Sequence, residues 1–94
     1  MTYKALMTWL KAEFPQLAWS SSQLFGKECI AASIRGSRIF IKIRKNNTFG
    51  IDFDNLTYGF DQECRDYDAL KTTIVACIKD ADPKLLSNVQ PSLL

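Results

Sequence analysis

Asp52-Phe53-Asp54 places two carboxylates on one face of an extended segment, with Asn55, Asp61 and Glu63 downstream. These are the residue types that hold a divalent cation in metal-dependent nucleases. The spacing departs from a calcium loop, because the sixth position counted from Asp52 is Thr57 and not glycine. The chain contains no histidine, which removes the commonest general base, the commonest zinc ligand and every Ser-His or Cys-His nucleophile pair. Ser20, Ser21 and Ser22 therefore lack an imidazole to activate them. Gly26, Gly36, Gly50 and Gly59 stand singly, so no phosphate-cradling loop is formed. The chemistry reads as non-catalytic, with no cofactor expected.

Cys29, Cys64 and Cys77 are odd in number and contain no C-x-x-C pair, an arithmetic that suits neither a disulfide framework nor a metal site. The first residues show no basic region followed by an apolar stretch. Reduced thiols in a cytoplasmic protein are the expectation, with Cys77 as a small apolar core residue. A content of 47% hydrophobic and 23% charged residues over 94 positions excludes intrinsic disorder and fits one domain. No apolar run approaches the ~20 residues of a membrane span, so a membrane is not an expected partner.

The net charge of +2 conceals an asymmetry. Residues 1–45 hold eight Lys/Arg against Glu13 and Glu28, whereas residues 46–94 hold four against eight acids. Such halves either neutralise each other on folding or present a charged surface to a partner.

The elements that position these groups follow from periodicity. Tyr3, Leu6, Trp9, Leu10 and Phe14 recur at helical spacing, and Pro15 supplies the stop. The stretch 16–26 carries no clear period and reads as a loop. Glu28 to Arg35, Arg38 to Arg44 and Thr48 to Asp54 alternate with period two. A Gly-first turn at Gly36-Ser37 would pair Ile34 with Ile39, Ala32 with Ile41 and Ile30 with Ile43. For the second hairpin, a three-residue loop Lys45-Asn46-Asn47 pairs Ile43 with Phe49, Ile41 with Ile51 and Ile39 with Phe53. A two-residue loop would mix the faces. The longer loop requires left-handed geometry at Asn47, which asparagine tolerates. A second helix starts at Asp66, buries Leu70, Ile74, Cys77, Ile78 and Ala81, and ends before Pro83.

The expected fold is therefore an α+β, two-layer α-β-β-β-α sandwich. Its sheet is a three-stranded antiparallel meander, with room for a short fourth strand at 57–60, and both helices pack on one face. Residues 1–83 form the domain, and 84–94 form a tail that folds back or stays loose. The order α-β-β-β-α resembles that of double-stranded-RNA-binding domains. The start of the second helix, Arg65-Asp66-Tyr67-Asp68-Ala69-Leu70-Lys71, is acidic where those domains carry a Lys-rich run. Only Gly36-Ser37 stands where they carry a Gly-Pro-x-His loop. The resemblance is one of topology and implies no function.

Alternation leaves one sheet face bare, carrying Cys29, Ala31, Ser33 and Arg35, then Arg38, Phe40, Lys42 and Arg44, then Thr48, Gly50, Asp52 and Asp54. Phe40 is an aromatic among cations, with Ser33 and Asp52 as expected cross-strand neighbours. The candidate contact surface is Arg35, Arg38, Phe40, Lys42 and Arg44, with Lys45 at the hairpin tip. A protein partner, in an adaptor, inhibitor or regulator role, is the first expectation. Nucleic acid on the same strip is the second, and a homodimer through this face the third.

Overall fold

The computed structural model describes residues 2–54 and 59–85, with backbone alone for 59–61. Helix α1 spans Tyr3–Glu13; the Thr2 hydroxyl oxygen caps it by accepting from the Ala5 N–H at 3.1 Å. Phe14 closes it with an N–H donated to the Leu10 carbonyl at 2.8 Å, directly before Pro15. Helix α2 spans Tyr67–Ala81, and the Asp66 carboxylate at its N-cap accepts from Ala69 N–H at 2.8 Å.

Between the helices lie β1 (Ser20–Leu24), β2 (Lys27–Ile34), β3 (Ser37–Ile43), β4 (Phe49–Asp54) and β5 (Gly59–Cys64). They form one antiparallel sheet in the order β1-β2-β3-β4-β5, with both helices on one face. This corrects the expected three-stranded meander in two places. The stretch 16–26 is not a loop throughout, because Ser20–Leu24 pairs with β2 through the two-residue turn Phe25-Gly26. The return segment makes a full fifth strand at Gly59–Cys64, paired with β4 from Asp54↔Gly59 to Phe49↔Cys64. Of the expected short strand, 57 and 58 lie outside the described residues. The order with five strands also parts company with the RNA-binding topology. Strand β3 stays central, as expected.

The β2–β3 turn is centred on Arg35-Gly36, not Gly36-Ser37. Arg35 (φ 42°) and Gly36 (φ 85°) both take left-handed geometry, the signature of a type I′ turn. Ile34 therefore pairs with Ser37, Ala32 with Ile39 and Ile30 with Ile41. The shift from the expected register is two residues, an even number, so every side chain keeps its face. The β3–β4 hairpin has the expected register, Ile43↔Phe49, Ile41↔Ile51 and Ile39↔Phe53, and Asn47 has φ 60°.

Leu6, Leu10, Ile30, Ile34, Ile39, Ile41, Phe49, Ile51, Phe53, Leu70, Ile74 and Ile78 form the interior between sheet and helices. Burying each aliphatic chain contributes about 1.5–3 kcal/mol. Trp19, just ahead of β1, is buried in this core and donates its indole N–H to the Phe14 carbonyl at 3.0 Å. Tyr3 fastens α1 to the sheet: its hydroxyl donates to the Glu28 carbonyl and accepts from the Ile43 N–H, each at 2.9 Å. The phenol thus bridges β2 and β3 at the end of their ladder. Leu85 packs against the core, and the rest of the tail, 86–94, lies outside the described residues.

Candidate functional site

The uncovered face is built around β3. Phe40 is half-buried there, opposite Ala31 on β2 and Asp52 on β4. The two-residue register shift puts Ala31 where Ser33 was expected, and Ser33 lies opposite Arg38 instead. The Arg38 guanidinium carbon stands 5.4 Å from the centre of the Phe40 ring, a cation–π contact of about 0.5–1 kcal/mol at an exposed site. Arg38 also sits opposite Asp54. Among the described residues no helix packs over Phe40, and it is not part of the hydrophobic core.

One step along β3, Lys42 is opposite Gly50. The absence of a side chain at Gly50 is used: a Cβ there would meet Arg44 Nε at 2.8 Å and Lys42 Cε at 3.0 Å. Arg44 and Lys42 thus lie flat across β4 through the space a methyl group would fill. Beyond them, the Thr48 hydroxyl donates to Glu63 Oε1 at 2.6 Å and stands 2.7 Å from Asn46 Oδ1. That hydrogen bond, with Asn46 and the nearby Arg44 charge, lowers the Glu63 carboxyl below its ordinary value.

Lys27, Lys42, Arg44 and Lys45, with Asn46 and Glu63, line a groove of ≈ 560 Å³ at this end of the sheet. Four cations against one acid make this groove strongly basic. Of the expected contact residues, the structure groups Arg38 with Phe40, and Lys42 with Arg44 and Lys45. Arg35 is set apart in the β2–β3 turn, where it reaches Asp82 beyond α2 at 4.0 Å. Lys27, and Phe25, which is 93% exposed at the tip of the β1–β2 hairpin, are not among the residues that alternation singles out. Both follow a segment whose polar residues give no alternation. The X-Gly pair at Phe25-Gly26, followed by an apolar-alternating run, was the one available sign of a hairpin there.

Cys29 belongs to the same face yet is buried, against Ser22 on β1. Desolvation pushes its thiol up and the Asp52 charge adds to that, while a hydrogen bond from Ser22 and the Lys42 charge act the other way. Cys64 and Cys77 are buried on the helix side; the Cys64 thiol donates to Thr73 Oγ1 at 3.4 Å. Raised or buried thiols are poor nucleophiles. Asp52 is half-buried and Asp54 exposed, and no group of three or more His, Cys, Asp or Glu that could hold a metal ion occurs among the described residues. None of the helices among them is long and apolar enough to cross a membrane.

Comparison with known proteins finds no protein family, no curated protein and no solved structure that matches this chain.

Proposed function

We propose that the chain is a non-catalytic binding module that docks an acidic surface of another protein on the open face of its sheet. The observation that carries this reading is the half-exposed Phe40 ring under the Arg38 guanidinium, on the sheet face opposite α1 and α2. An aromatic beside an arginine at the centre of a patch is the usual composition of an energetic anchor. Lys42, Arg44 and Lys45 supply the orienting charges, and Asp52 and Asp54 on the adjacent strand impose polarity on the fit. A complementary partner presents acids to β3 and bases to β4. Arg35, exposed in the β2–β3 turn and 4.0 Å from Asp82, stands at the margin of this surface.

Nucleic acid in the basic groove is the second reading, favoured by the convergence of Lys27, Lys42, Arg44 and Lys45. The two differ in salt response: four phosphate contacts give a log–log slope of about −3 to −4 on duplex DNA. The test begins with wild-type, Phe40→Ala and Arg38→Glu baits in native extract. A partner retained by wild type and lost from both variants is then purified, and its dissociation constant measured with each. Weakening by roughly tenfold or more for each variant supports docking on this face. A partner indifferent to both substitutions, or a steeply salt-dependent mobility shift with DNA or RNA, replaces the reading.

A further inference from the structure

The opposite side of the molecule carries a second feature that the open face does not use. Strand β1 is a free edge of the sheet. Free edges are ordinarily blunted by lysines, prolines or bulges. Ser20-Ser21-Ser22-Gln23-Leu24 contains no charge and no proline, and its pairing with β2 runs unbroken from Ser20↔Ala31 to Leu24↔Lys27. The other edge, β5, carries Asp61 and Glu63. In a two-residue hairpin the pair flanking the turn is hydrogen-bonded, so Leu24, Ser22 and Ser20 bond to β2. The N–H and C=O groups of Ser21 and Gln23 then point outward. Among the described residues, none bonds to that outer edge.

Beside this edge, a groove of ≈ 350 Å³ separates it from α1. Lys4, Met7, Thr8 and Lys11 form one stripe of α1 along the groove, with Ser21 and Ile30 on the sheet side. We propose that β1 is a strand-addition site: an extended acidic segment of another protein pairs antiparallel with it, between the sheet edge and α1. In that pairing the partner residue opposite Ser21 shares its face and enters the groove over Met7 and Ile30. Residues two positions to either side run along the same stripe, and carboxylates there meet Lys4 and Lys11. Glu28 is the one acid lining the groove, so its charge is net positive. That charge decides the occupant. A second copy pairing through β1 about a twofold axis would bring two Lys4/Lys11 stripes towards each other, which disfavours self-association.

The full chain is panned against a phage library of random linear dodecapeptides, and the selected peptides are synthesised and titrated by NMR. Expected are sequences with an apolar residue flanked at alternate positions by Asp or Glu, and new exchange protection confined to the Ser21 and Gln23 amides. Lys4→Glu combined with Lys11→Glu weakens binding by roughly tenfold or more, whereas Phe40→Ala and Arg38→Glu leave it unchanged. Ser21→Pro, which removes an outward donor, abolishes it. Because that variant alters a strand, the amide protection on wild-type protein decides independently of its folding. The proposal is overturned by a library that yields no binder, or by peptides that shift the β3 amides instead. It is also overturned by Ser21 and Gln23 amides already protected in a dimer seen by sedimentation.

Discussion

At the residue scale, the buried thiol of Cys77 makes a definite pH prediction. Burial, chiefly, and then the Asp80 charge push it up from 9.0 to about 12. A thiol that ionises later in the folded than in the unfolded chain holds its proton while the unfolded state loses one. Stability from this group is therefore intact below pH 9 and declines as pH rises towards 12, by up to about 1.4 kcal/mol per unit. Urea midpoints of wild type and Cys77→Ala at pH 8, 9 and 10 should converge steadily, with the wild type falling faster; parallel lines would refute the assignment. Gly50 gives a second expectation. Gly50→Ala intrudes on the ends of two flexible side chains and not on backbone, so it should change stability by less than ~1 kcal/mol. It should nevertheless displace the Arg44 guanidinium, visible as a shift of its Nε–H resonance, and weaken whatever binds the basic groove.

At the scale of elements, the β1–β2 hairpin holds a phenylalanine where asparagine or glycine is suited. Phe25 has φ 53° in a type I′ turn, with its ring almost wholly in solvent. Left-handed geometry costs a bulky residue about 1–2 kcal/mol, and no core contact offsets it. Phe25→Asn should raise the melting temperature by roughly 4–8 °C per kcal/mol recovered. An unchanged or lower value would show that the ring contributes to the fold. The same turn explains what the sequence conceals. Ser20 to Gln23 is polar at every position because an edge strand need not bury a face, so no alternation marks it, and a phenylalanine is not a recognisable left-handed turn residue. The β3–β4 hairpin is legible for the opposite reason. Two isoleucine- and phenylalanine-rich faces allow a single parity, and Asn46-Asn47 supplies the turn. Within the candidate site, Phe40, Arg38 and Lys42 follow from alternation alone. The cradle of Gly50 beneath Arg44, and Lys27 across the groove, depend on a register and a strand that the pattern does not specify.

At the scale of the whole molecule, each strand pairs with its neighbour in the chain, and the oppositely charged halves meet across the fold. Lys71 bonds Glu13 between the helices at 2.8 Å, Arg35 reaches Asp82, and Arg38 lies opposite Asp54. Arg35–Asp82 and Arg38 opposite Asp54 set bases of the first half against acids of the second, whereas Lys71–Glu13 pairs the minority charges, so the Lys-rich groove and the α1 stripe stay basic. A sheet of local hairpins under two helices should form quickly and cooperatively, since little loop entropy is lost before contacts are made. The question is whether the polar edge strand shares that cooperativity. Trp19 argues that it does: it is buried immediately before β1 and hydrogen-bonded to the Phe14 carbonyl, so β1 cannot leave the sheet freely without disturbing the core. Trp9 reports from the contact between the helices, with its ring 4.7 Å from that of Tyr67 on α2 and 6.1 Å from that of Phe14. In urea, Trp9→Phe and Trp19→Phe variants, each retaining one indole, should show fluorescence and far-ultraviolet circular-dichroism transitions that coincide, with a slope of about 1–3 kcal/mol/M. If the Trp19 signal were to change at lower urea than the circular dichroism, the edge hairpin would be a separate unit. It could not then present the fixed strand template that peptide addition requires.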